Sequence, residues 1–118
     1  MVVDDSRIMR GIVKKTFEQL NIPVRFLEAG NGEDALVVLT NNNVDLVLLD
    51  WNIPFLSGID FLRKVRSMDN YKNIPIVMVT SEAAKLNLVE ALKAGATAYI
   101  TKPFNTKTFM EKISKITF

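Results

Sequence analysis

Val44-Asp45-Leu46-Val47-Leu48-Leu49-Asp50 is apolar almost throughout between its first and last aspartates. A strand buried on both faces reads this way, and such strands belong to parallel sheets covered by helices on each side. Similar short β-branched runs lie on either side of it. Toward the amino end, Val2-Val3 is a strand fragment ending in Asp4-Asp5, and Val24 to Glu28 reads as a second strand. Toward the carboxyl end, Ile74-Pro75-Ile76-Val77-Met78-Val79-Thr80 is a fourth strand, with its proline at the start, where a missing N–H is tolerated. Ala98-Tyr99-Ile100-Thr101 is the fifth.

Helical patterns fill the gaps between these runs. Ser6 can cap a helix whose apolar stripe is Met9, Val13, Thr16/Phe17 and Leu20, and Asn21-Ile22-Pro23 stops it. Gly30-Asn31-Gly32 is a turn before a helix carrying Ala35, Leu36 and Leu39, which Asn41-Asn42-Asn43 ends. Ser57 and Gly58 open a third helix with Ile59, Leu62 and Val65 inward. Ala83 to Ala94 is helical and stops at Gly95, a C-cap residue. A last helix runs from about Thr106, with Phe109, Ile113 and Ile116 on one side. Strands alternating with helices of this length imply an α/β fold, a doubly wound parallel sheet with right-handed crossovers. The 118 residues form one domain, residues 1–118.

Composition narrows the chemistry. The chain has no Cys and no His, which removes disulfides, thiolate zinc sites, thiol nucleophiles and imidazole bases. Whatever it does must use carboxylates, hydroxyls, lysines and backbone. A net charge of +2 is too weak to argue for nucleic acid. No apolar run approaches the ~18 residues of a membrane span, and the amino end has no signal-peptide pattern. The expectation is a cytoplasmic protein with no direct nucleic-acid contact and no membrane insertion.

In open α/β sheets, functional groups collect at the carboxyl ends of the strands. Here those ends carry Asp4-Asp5, Asp50, Thr80-Ser81 and Lys102. If the first and third strands are neighbours, three carboxylates converge and repel one another. A hard divalent cation such as Mg²⁺, which prefers oxygen ligands, resolves that repulsion. A carboxylate nucleophile, a metal, an ammonium and a hydroxyl are the parts that phosphoryl transfer needs. Taken singly, each motif has a plainer reading. Asp4-Asp5 reads as a loop pair or cap, Asp50 as a turn former, Thr80-Ser81 as a helix cap and Lys102-Pro103 as a turn. It is their joint placement that points to a site.

Val2-Val3-Asp4-Asp5-Ser6, Leu48-Leu49-Asp50-Trp51-Asn52-Ile53-Pro54, Val79-Thr80-Ser81-Glu82 and Thr101-Lys102-Pro103-Phe104 together resemble the receiver domain of bacterial response regulators, in order and spacing, over essentially the whole chain. The Asp-Trp-Asn-Ile-Pro run and Tyr99 are most similar to the single-domain chemotaxis regulators of the CheY type. The resemblance implies a flavodoxin-like (βα)₅ sheet in the order 2-1-3-4-5. It implies that Asp50 is the phosphoacceptor, fed by a phosphohistidine on a partner histidine kinase. Asp5 and Asp50 would bind Mg²⁺ directly, Asp4 through water, and the backbone carbonyl of Asn52 would complete the set. Lys102 would contact the phosphoryl oxygens and Thr80 would turn its hydroxyl to them. Tyr99 would then move from outside to inside as a rotameric switch. The Lys102–Pro103 peptide would be cis, and Asn52 and Glu82 would tune self-dephosphorylation. Output would pass to a target protein through the face of the fourth helix, fifth strand and fifth helix, with Lys85, Leu88, Tyr99 and Lys112 as its expected residues.

Three departures from the family pattern stand out. Only Met1-Val2-Val3 precede the acidic pair, Ser57 stands where an acid is frequent, and Thr101 stands where an apolar residue is common. The chain ends about where the fifth helix should end, so output by protein contact is expected. Four alternatives remain at this level. An Asp-nucleophile phosphatase of the haloacid dehalogenase type would carry a second acid where Asn52 stands. An interaction module that is never phosphorylated would leave the complete acidic set and Lys102 unused, whereas a receiver cut from a larger transcriptional regulator would share the whole pattern. An FMN-binding flavodoxin would need a first loop less acidic than Asp4-Asp5-Ser6.

Overall fold

Side-chain caps set the helix starts. Ser6 Oγ accepts from the Met9 amide at 3.2 Å and begins α1 (Arg7–Gln19). Asn31 Oδ1 accepts from Asp34 N at 2.8 Å and begins α2 (Gly32–Asn41). Ser57 opens α3 (Gly58–Arg66), and Asn105 opens α5 (Thr106–Ser114) by accepting from Thr108 N at 2.7 Å. The computed structural model describes residues 1–81 and 85–116, and α4 spans Lys85–Lys93 within them. The expected start of that helix, at Ala83 and Ala84, lies outside the described residues. Its end is as expected: Gly95 has a φ of +107°, left-handed backbone that glycine adopts without penalty.

The strands are β1 (Val2–Val3), β2 (Glu28–Ala29), β3 (Val47–Leu49), β4 (Ile76–Thr80) and β5 (Ala98–Thr101). They form one parallel sheet in the order β2-β1-β3-β4-β5. Alternate residues feed two layers. Val47 and Leu49 of β3, Ile76 and Met78 of β4, and Tyr99 of β5 pack with Leu39, Phe61, Leu62 and Ala91 from α2, α3 and α4. Leu48, Val77, Val79 and Ile100 pack on the other face with Val13 and Phe17 of α1 and Phe109 and Ile113 of α5. Phe17 meets Phe109 edge-on, with ring centres 5.3 Å apart. The apolar run 44–50 therefore holds a strand covered on both sides, as β4 is too.

The sequence reading needs three boundary corrections. The second strand was expected over 24–28, but β2 is Glu28–Ala29. Among the described residues its one ladder neighbour is β1, whose register reaches no further back than Val2 opposite Glu28, so residues 24–26 have no ladder partner there. A cavity of about 660 Å³ lies there instead, lined by Phe17, Ile22, Phe26, Leu46 and Leu48 among others. The third strand likewise starts at Val47 and not Val44, and the fourth at Ile76 and not Ile74. Thr97 helps fix that last start, since its amide donates to Ile76 O at 2.7 Å and its Oγ1 accepts from Ile76 N at 3.0 Å.

Candidate functional site

The pairing of β1 with β3 brings the aspartates together. The Asp50 amide donates to Val3 O at 2.9 Å, so the residue after β3 sits beside the residues after β1. Carboxylate oxygens of Asp4, Asp5 and Asp50 all lie within 4.8 Å of one another. Asp4 and Asp50 are buried, at 5% and 8% exposure, while Asp5 is open to solvent. Two further hydrogen bonds shape the first loop. Asp4 Oδ1 accepts from Ser6 N at 2.9 Å, and the Asp4 amide donates to Ala29 O at 3.1 Å.

Lys102 arrives from the end of β5, its amide donating to Thr80 O at 2.9 Å. Its Nζ donates to Asp4 Oδ2 at 2.7 Å and to Asp50 Oδ2 at 3.0 Å, with the side chain 16% exposed. Burial pushes the ammonium down, but the two carboxylate hydrogen bonds and their charges outweigh it and hold Lys102 above the ordinary lysine value. It is thus firmly cationic. The peptide between Lys102 and Pro103 is cis, as expected.

Close packing sets the loop after β3. The Gly58 amide donates to Trp51 O at 2.9 Å, and a Cβ at Gly58 would collide with the carbonyl oxygen of Asp50. Only glycine lets α3 begin that near to the candidate nucleophile. Within this loop Phe55 is exposed with a φ of 69°, backbone that a bulky residue seldom adopts. Asn52 lies exposed between Asp50 and that bend.

The structure therefore gathers Asp4, Asp5, Asp50 and Lys102, with Thr80 fully buried at the neighbouring strand end. An all-oxygen acidic set of this kind fits a hard divalent cation, and three carboxylates against one ammonium leave a net negative crevice for it. Tyr99 differs from the outward starting position implied by the resemblance. It is only 7% exposed and packs in the layer of α2, α3 and α4. Its place in β5 alternates with Ile100, so the ring points to that layer and not to water. Of the other expected residues, Glu82 and the Lys85 side chain lie outside the described residues. Leu88 is half-buried against the core and Lys112 is exposed.

Sequence reasoning missed two features. On α4, Leu86, Val89 and Leu92 form an exposed apolar stripe, with Leu86 at 81%. Their three-residue spacing lies in the sequence, but which side of α4 the sheet covers does not. The second is Arg10, whose Nη1 donates to Asp4 O at 2.6 Å and whose Nε pairs with Glu28 Oε1 at 3.1 Å. A lone arginine on a helix gives no sequence signal for that contact.

The model of the response regulator receiver domain family matches residues 1–114. The chemotaxis protein CheY of Pseudomonas aeruginosa is 40% identical over 116 residues, covering 98% of this chain and 93% of that protein. A CheY homologue of Campylobacter jejuni is 41% identical over 117 residues, covering 98% of this chain and 89% of that one. Among solved structures, chemotaxis protein CheY4 of Vibrio cholerae superposes with a TM-score of 0.86 at 31% identity, covering 98% of this chain and 95% of that one. The matched span takes in both loops of the acidic crevice and the lysine that closes it, and the chain belongs to the response regulator receiver domain family.

Proposed function

We propose that the chain is the phosphoacceptor of a two-component system, with Asp50 as nucleophile. An Asp50 carboxylate oxygen attacks the phosphorus of a phosphohistidine on a histidine kinase, the P–N bond breaks, and the imidazole leaves. Asp5, Asp50 and the backbone carbonyl of Asn52 would hold Mg²⁺, with Asp4 acting through water. The cation, when bound, supplies charge to the transferred phosphoryl oxygens. The observation that carries this reading is the Lys102 ammonium bonded to Asp4 and Asp50 at once.

Phosphorylation adds roughly −1.5 to −2 charges and three acceptor oxygens, by analogy with other phosphorylated residues. Lys102 can then shift from carboxylate to phosphoryl oxygen, and the Thr80 hydroxyl can turn to a phosphoryl oxygen that is present only in that state. Such state-dependent contacts are what move a conformational equilibrium. Tyr99, three residues before Lys102 on β5, would pass the change to α4 and α5, where a target protein binds. The relatives named for chemotaxis make that the process we assign, in the cytoplasm. Neither nucleic acid nor a membrane is needed for output, and no helix among the described residues is long and apolar enough to cross a membrane.

Trp51, the chain's one tryptophan, follows the nucleophile directly and serves as the reporter. Acetyl phosphate or beryllofluoride should change its fluorescence only when Mg²⁺ is present, and acetyl phosphate should add one phosphoryl mass. Asp50→Asn should abolish the added mass. Full labelling of Asp50→Asn would overturn the site, and turnover of a phosphomonoester would favour the phosphatase rival.

A further inference from the structure

Asp4 has four polar atoms, and all four are engaged. Its amide bonds to Ala29 O, Oδ1 to Ser6 N and Oδ2 to Lys102 Nζ. The fourth is its carbonyl oxygen, which lies past the end of β1 in the turn into α1. It accepts instead from Arg10 Nη1 at 2.6 Å. The same guanidinium spans to the first residue of β2, where Nε meets Glu28 Oε1 at 3.1 Å. The Arg10 side chain is 17% exposed, its partner's 49%.

This bond fixes the peptide plane joining Asp4 to Asp5. The orientation of that plane decides where the Asp5 carboxylate goes. Asp5 is solvent-exposed, yet its oxygen falls within the acidic group. We infer that Arg10 is a positioning residue for the cation site: it pins the Asp4–Asp5 peptide so that Asp5 converges with Asp50, while Glu28 neutralises the guanidinium. The inference rests on the phosphoacceptor reading. A planar guanidinium suits the task because two separate nitrogens, Nη1 and Nε, reach the carbonyl and the carboxylate in fixed directions, whereas a lysine's single nitrogen would have to lie within reach of both.

Positioning and simple charge predict opposite signs. A cation beside a Mg²⁺ site repels the metal, so deleting only that charge would tighten binding. Losing a positioning contact weakens it. Arg10→Met keeps most of the buried stem and removes the donors. Mg²⁺ titrations followed by Trp51 fluorescence should show about tenfold weaker binding in this variant, the scale of one charge-assisted hydrogen bond. The loss should persist at high salt, where charge effects fade. Arg10→Lys should recover only part of it. Glu28→Gln leaves the clamp in place and exposes its charge, so its weakening should shrink as salt rises. Circular dichroism of each variant confirms that folded protein is being titrated.

Unchanged or tighter binding in folded Arg10→Met would overturn the positioning role while leaving the phosphoacceptor reading intact. A Trp51 signal in the unaltered protein that does not respond to Mg²⁺ would bring down both. Should Arg10→Met fail to fold, Arg10→Lys and Glu28→Gln decide the matter. Wild-type affinity in Arg10→Lys, or a salt-independent loss in Glu28→Gln, then refutes it.

Discussion

Lys102 is the residue on which the crevice balances. It bridges two buried carboxylates through bonds of 2.7 and 3.0 Å and offsets part of their charge. Lys102→Met would leave those carboxylates crowded and uncompensated. In Mg²⁺-free buffer this substitution should cost about 2 kcal/mol, the scale of lost hydrogen bonds to charged groups. Mg²⁺ should then stabilise the variant more than the unaltered protein, because it takes over the missing charge and binds only the folded crevice. Denaturant midpoints with and without Mg²⁺ check this, and an equal Mg²⁺ increment in both proteins would contradict it. At this scale the acidic set and the lysine were legible from position alone, since each follows a strand. The Arg10 contact was not. It depends on how far α1 turns back over the loop, and no residue pattern encodes that distance.

Among the elements, helices were easier to read than strands. A cap side chain and an apolar stripe are local facts, so Ser6 and Ser57 announced α1 and α3 correctly. A strand exists only where a neighbour lies beside it. Residues 24–26 have strand composition and lack that neighbour, which the sequence around them could not disclose. The junction of β3 and α3 gives a sharp test. Gly58→Ala drives a methyl into the Asp50 carbonyl, with Trp51 Cα at 2.8 Å, so the loop must move. We expect a loss of about 2 kcal/mol and slower phosphorylation. Gly11 is the control: a Cβ there meets nothing within 4 Å, and Gly11 is exposed inside α1. Gly11→Ala should raise stability by roughly 0.5–1 kcal/mol with phosphorylation unchanged. Thermal melts and labelling rates on the two variants separate the effects.

The whole molecule is a sheet of uneven grip. β4 and β5 share four paired positions and β3 and β4 share three, whereas β1 holds each neighbour by two. Local opening should therefore begin at β1 and β2 and reach β4 and β5 last. Hydrogen–deuterium exchange read by mass spectrometry should find the amides of Val3 and Ala29 far less protected than those of Val77 to Val79. The crevice straddles that difference. Asp4 and Asp5 hang from the weakly held strand, Asp50, Thr80 and Lys102 from the firmly held ones. A cation shared by Asp5 and Asp50 would tie the two together, so Mg²⁺ should slow exchange at β1 and β2 by a larger factor than at β4 and β5. Equal slowing everywhere would contradict this. The brevity of β1 thus makes cation occupancy readable as amide protection in the least secure part of the sheet.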